Sequence, residues 1–174
     1  MMMRSIFWML LLGVCAALDV AFAATPGEIK IGERLPQVTM QGLNGPSRNL
    51  ADFRGTPLII NVWASWCGPC RAEMASLERL AWRDGSDYFN VIGISTDDFP
   101  DRAAAALKAS RATITHFIDS KLRLENLLGA SRLPLTVLVD ADGRVIEKIY
   151  GAREWDSAAT AKLIGRAFGR QAGK

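Results

Sequence analysis

Cys67 and Cys70 are separated by Gly68 and Pro69 alone. One helical turn between them brings both sulfurs within bridging reach. An apolar run, Leu58 to Trp63, leads into the pair, and an amphipathic helical pattern from about Arg71 to Arg83 leads out of it. The order is strand, turn, helix, with Cys67 at or near the helix N-cap. Unpaired N–H groups and the positive end of the helix dipole favour an anion at that place. The anion on offer is a thiolate, which is the species that attacks disulfides. Pro69 suits the first turn, where its missing N–H would have had no partner. Gly68 leaves room for another chain to reach the sulfur. The predicted chemistry is dithiol–disulfide exchange, with Cys67 attacking and Cys70 resolving the mixed disulfide. Other uses of a CxxC fit less well. Half a zinc site needs two more ligands, and only His116 and distant carboxylates are available. Haem attachment needs a histidine directly after the second cysteine, and Arg71 stands there.

A carboxylate accompanies the thiols. Met74, Leu77, Leu80 and Ala81 make an apolar stripe at helical spacing, and Glu73 falls beside it, one turn from Cys70. Burial there would raise its pKa and suit it to proton transfer. The competing reading is an exposed residue paired with Arg71 or Arg79. Trp66 is expected to be a partly exposed contact surface beside the thiols, and Trp63 to be core. His116 reads as structural rather than as a ligand, and Trp155 as a packing residue. Asp97 and Asp98 read as loop and helix-start residues.

The elements around this centre predict an α/β protein. Val38 to Met40 is a short strand, Gly42 to Pro46 a turn, Ser47 to Leu50 a return strand and Ala51 to Arg54 a helical turn. Leu58 to Trp63 and Tyr88 to Ser95 read as buried strands joined through the helix, which makes a parallel βαβ unit. Pro100 opens a second helix, to about Ser110. Arg111 to Asp119 reads as extended, and Lys121 to Leu128 as a short helix stopped by Gly129. Leu135 to Val139, a turn at Asp140 to Gly143, and Arg144 to Tyr150 form a second hairpin. Asp156 or Ser157 caps a last helix that runs to about Phe168. The segment Ala24 to Lys30 is expected to be a mobile polar lead-in.

The ends and the composition bound the setting. The 174 residues fit one domain, and a net charge of +3 without a basic cluster gives no argument for nucleic acid. The N-terminus reads as a secretory signal over residues 1–23. Arg4 precedes the apolar run Ile6 to Leu18, and Ala21-Phe22-Ala23 is an A-x-A-type cleavage site. The run is short for a membrane span. An uncleaved membrane anchor and a lipoprotein acylated at Cys15 are the alternatives. Cleavage would remove Cys15 and leave the CxxC as the only cysteines of the three. Export places the chain where disulfides persist, so a reductase there needs electrons from elsewhere.

The stretch Trp66-Cys67-Gly68-Pro69-Cys70 resembles the thioredoxin active site. The wider context, Asp52 to Pro57, then NVWASWCGPC, then Arg71-Ala72-Glu73, resembles the TlpA/ResA/CcmG branch of extracytoplasmic thioredoxin-like proteins. The resemblance spans roughly Ile31 to Phe168, within a domain set at residues 31–170. It implies a thioredoxin-like fold: a central mixed β-sheet flanked by helices, with an N-terminal β-hairpin and a βα-type insertion at residues 99–119. It also implies a redox role for the glutamate matching Glu73. Thioredoxins carry a buried aspartate where this chain has Asn61, so that group's acid–base work does not carry over. Asn61 is expected to be a hydrogen-bonded buried amide. Pro134 matches the cis-proline that faces the CxxC, and Leu133 would pair its backbone with a client peptide. Leu135 departs from the threonine common after this proline.

These residues together predict an exported, monomeric thiol-disulfide oxidoreductase. Cys67, Cys70 and Glu73 are its catalytic residues, and Trp66, Gly68, Pro69, Leu133 and Pro134 its client-binding residues. The Gly-Pro pair resembles reducing thioredoxins. By resemblance, electrons would come from a membrane thiol carrier of the DsbD or CcdA type. The clients would be disulfides of apoproteins such as apocytochrome c or copper-site proteins. No dissociable cofactor and no bound metal are expected. An oxidant or isomerase, and a copper(I) metallochaperone or assembly scaffold, are the competing classes.

Overall fold

The computed structural model describes residues 26–85 and 87–169. The leader and its cleavage site lie outside the described residues. The centre is β3 (Leu58–Trp63), six residues all buried. A strand covered on both faces has no polar alternation, hence the run of Leu, Ile, Val and Trp. Parallel to it runs β4 (Asn90–Ser95), reached through α1 (Gly68–Leu80), and parallel to β4 runs β5 (Thr115–Ile118), reached through α2 (Pro100–Ser110). On the other side of β3, β6 (Leu135–Val139) pairs antiparallel, and β7 (Val145–Tyr150) pairs antiparallel with β6. At the far edge β1 (Thr39–Gly42) joins β5, and β2 (Arg48–Asn49) joins β1. The sheet order is β2-β1-β5-β4-β3-β6-β7. With α3 (Arg123–Leu128) before β6 and α4 (Ala158–Ala167) after β7, this is the expected mixed thioredoxin-like α/β arrangement. Among the described residues no helix is long and apolar enough to cross a membrane.

Side-chain alternation along β3 divides the core. Leu58, Ile60 and Val62 pack with Phe53, Phe117, Leu124 and Leu128. Ile59 turns the other way, toward Leu77 and Leu80 of α1 and Ile164 of α4. Trp63 lies in a third cluster with Met74, Ala103, Leu107 and both site cysteines. The helix that begins at Cys70's turn is therefore packed along its length, and the thiols sit on a rigid mount.

Several expectations need correction. Helix α1 begins at Gly68, not Arg71, because Cys67 caps it and Gly68-Pro69 form its first turn; a π-helical turn, Ala81–Gly85, takes over after Leu80. Ala81 is only half-buried. The second hairpin strand is two residues long. Asn49 ends it by capping the 3-10 turn Leu50–Phe53, accepting from Ala51 N–H at 2.9 Å while its own N–H donates to Asp52 Oδ2 at 2.9 Å. This reciprocal box satisfies donors that a longer strand would have spent on its neighbour. The lead-in is anchored over residues 28–30. Ile29 is a core residue whose N–H donates to the Leu127 carbonyl, and Glu28 pairs with Lys148 at 2.6 Å.

Candidate active site

Cys67 is the N-cap residue of α1, and its sulfur accepts a hydrogen bond from the Cys70 N–H at 3.2 Å. The two cysteines form a disulfide. Their exposures differ in the useful direction: 6% for Cys67 and none for Cys70. An incoming sulfur can reach the first; the second is accessible only from its partner. The helix N-terminus supplies N–H groups to charge that develops on Cys67. A side chain on Gly68 would meet nothing within 4 Å, so the approach to Cys67 is open on that side.

The loop before Cys67 is held by Asp97. Its carboxylate accepts from the Ser65 N–H at 2.8 Å, the Ser65 hydroxyl at 2.6 Å and the Ser95 hydroxyl at 2.7 Å. Asp97 is buried and Asp98 exposed, and α2 starts at Pro100, with Phe99 at the N-cap and no side-chain cap. Asp97 is thus a clamp between the ends of β3 and β4, a role that its place in an acidic loop did not reveal. Trp66, just beyond the clamp, is 70% exposed, whereas Trp63 is fully buried, as expected of both. Leu133 is half-buried against the cluster that holds both cysteines, and the Leu133–Pro134 peptide is cis.

Glu73 lies behind the disulfide, one turn along α1 from Cys70, and only 2% of it is exposed. The expected alternative, an exposed partner for Arg71 or Arg79, is wrong: Arg79 pairs with Asp156 at 2.6 Å instead. Oε1 of Glu73 accepts from Asn61 Nδ2 at 2.8 Å, and Oε2 accepts from Trp155 Nε1 at 2.9 Å and from the Arg153 N–H at 3.0 Å. Burial pushes the carboxyl above its ordinary range, while the bonds from Trp155, Asn61 and Arg153 pull the other way. Asn61 is the buried, bonded amide expected; its second bond goes to Thr136 Oγ1 at 3.1 Å. Trp155 packs, as expected, with no exposure. Its bond to Glu73 lacked a sequence signal, because an indole 82 residues away is placed by the sheet and not by spacing.

His116 is structural, as expected. Its Nδ1 accepts from the Trp63 indole at 3.1 Å, which leaves the proton on Nε2, buried without a hydrogen-bond partner. Burial lowers its pKa to about 4. Among the described residues no three His, Cys, Asp or Glu side chains gather as a metal site.

Comparison with known proteins places this geometry. The family model Redoxin matches residues 30–164. The chain is 27% identical over 146 residues to the thiol-disulfide oxidoreductase ResA of Bacillus cereus (strain ZK / E33L), covering 82% of this chain and 84% of the relative. It is 33% identical over 129 residues to the thiol:disulfide interchange protein DsbE of Pseudomonas aeruginosa, covering 70% and 67%. Among solved structures it is similar to a Chlorobium tepidum protein provisionally named thiol:disulfide interchange protein DsbE. The TM-score is 0.74 at 26% identity, over 80% of this chain and 99% of that one.

Proposed function

We propose that this chain, which belongs to the Redoxin family and is a thiol-disulfide oxidoreductase of the ResA and DsbE type, works outside the cytoplasm as a reductase of client-protein disulfides. The observation that carries the reading is the asymmetry of the pair: a helix-capping Cys67 that keeps a small exposure, a Cys70 that keeps none, and a buried carboxylate one turn behind it. In the reduced protein the Cys67 thiolate attacks one sulfur of a client disulfide. A mixed disulfide forms and the other client sulfur leaves as a thiolate. Cys70 then gives its proton to the Glu73 carboxylate and attacks the Cys67 sulfur. The Cys67–Cys70 bond forms, the second client thiolate departs, and two electrons have passed to the client.

Trp66, Gly68, Pro69, Leu133 and Pro134 form the client-binding surface around Cys67. The apolar leader with its A-x-A site supports export, and residues 31–170 would be the working domain. A membrane thiol carrier of the DsbD or CcdA type would restore the dithiol, and apoproteins with cysteine pairs for haem or copper are the client class. The protein acts as a monomer. The test is a pair of variants. Cys70→Ser should accumulate mixed disulfides with clients in the exported fraction, and Cys67→Ser should neither trap clients nor reduce insulin disulfides. Turnover retained by Cys67→Ser would refute the assignment.

A further inference from the structure

The hydrogen bonds to Glu73 come from donors only: Asn61 Nδ2 on Oε1, and Trp155 Nε1 and the Arg153 N–H on Oε2. A carboxylic acid needs an acceptor for its own proton, and an ionised carboxylate needs none. The set therefore opposes burial, which by itself favours the acid. The donors are not equivalent. Asn61 Nδ2 also donates to Thr136, and the Arg153 bond is one that any residue except proline can make. Trp155 offers a side-chain N–H on a ring with no exposure, packed in the cluster with Leu77, Leu80 and Ile164.

That ring cannot swing away. The Trp155 backbone N–H donates to Ser76 Oγ at 3.0 Å, and Ser76 Oγ in turn donates to the Glu73 carbonyl at 2.8 Å. Both ends of Trp155 are thus tied to the helix that carries the cysteines. Two donors occupy Oε2, and one occupies Oε1, so Oε1 keeps the lone pair for an incoming proton. Among the described residues, the groups that hydrogen-bond the carboxylate from other elements carry no charge: the amide of Asn61 on β3, the indole of Trp155 and the backbone N–H of Arg153 on the segment after β7. Cys70 stands one turn before Glu73 on the same helix.

We propose that Trp155 is a positioning residue for disulfide exchange: its indole N–H fixes Oε2 of Glu73 and holds that carboxyl as the ionised proton acceptor for the Cys70 thiol. The inference rests on the role given to Glu73 above. Deprotonation of Cys70 in the mixed disulfide moves one proton to Oε1, and the thiolate so formed breaks the bond between Cys67 and the client. Without the indole N–H, the carboxyl holds its proton to higher pH, and less of it is ready to accept.

The experiment follows the reduced chain with dithiobis-nitrobenzoate. Attack by Cys67 releases the first thionitrobenzoate, and attack by Cys70 releases the second. The pH profile of the second release reports the Glu73-dependent step. In Trp155→Phe its midpoint should rise by about one pH unit, so that well below the midpoint the step slows by about tenfold. Should Trp155→Phe not fold, β-(3-benzothienyl)alanine at position 155 replaces only the N–H by sulfur and keeps the shape. In a Glu73→Gln background the same change should move nothing further. An unmoved midpoint in a folded Trp155 variant, with the inflection lost in Glu73→Gln, overturns the role of Trp155 and leaves Glu73 standing. An inflection that survives Glu73→Gln overturns both.

Discussion

Two buried titratable groups carry predictions of opposite sign. Glu73→Gln removes the proton acceptor behind Cys70, and resolution of the mixed disulfide should slow by about 10²-fold or more near neutral pH, read by stopped-flow release of the client thiolate. A rate unchanged within twofold would take Glu73 out of the mechanism. His116 acts on stability. Its pKa in the fold, about 4, lies below the ordinary 6.5, so the unfolded chain binds a proton that the folded one refuses. The stability it contributes is full above pH 6.5 and is lost as pH falls through that window. The stability difference between wild type and His116→Gln, which keeps an acceptor for Trp63, should change by about 3 kcal/mol between pH 7 and pH 4. Urea unfolding at several pH values measures it, and parallel pH curves would contradict the account. Glu73, raised by burial, runs the opposite way, losing stability as pH rises; it is common to both proteins and cancels in the difference. Cys67, Cys70, Glu73 and Asn61 were legible in the sequence because a helix or a strand fixes which neighbours share a face. Asp97 and Trp155 were not, because their partners come from other elements: Ser65 across the β3–β4 ends, and Glu73 on α1.

At the scale of elements, two glycines separate packing from access. Gly93 lies in β4 opposite His116 in β5, and a Cβ there would overlap the imidazole ring that Trp63 holds. Gly93→Ala should cost about 1–3 kcal/mol, seen as a Tm lower by several degrees and as an altered Trp63 environment. Gly68→Ala meets open space in the first turn of α1, and its stability should stay within about 0.5 kcal/mol of wild type. The reverse order of the two effects would mean that the packing described for β4, β5 and Trp63 is wrong. Strands β3 and β6 and helix α2 stand at the limits their composition predicts, since apolar runs bounded by Gly, Pro or Asp leave few alternatives. The edges were harder to read. Asn49 chooses between a strand and a cap, and the cap wins because it satisfies two groups at once. Residues 28–30 look like a polar tail until Ile29 finds its place in the core.

On the scale of the whole molecule, the sheet does one thing for the chemistry. It fixes β3 between β4 and β6, so that the loop to Cys67, the clamp from Asp97 and the turn before β6 converge beside one helix N-terminus. The sheet's central order was legible from alternating apolar runs and helices. The placement of β1 against β5 was not, because four residues with one buried side chain carry little pattern. What this assembly does with its dithiol is a matter of electron direction, and the equilibrium reduction potential of the Cys67–Cys70 pair measures that most directly. Redox titration against glutathione or a thioredoxin, followed by tryptophan fluorescence, should give a value near or below about −250 mV, among thioredoxin-like reductants. A value near about −120 mV, in the range of strong oxidants, would contradict the reductase reading and the proposed electron donor with it.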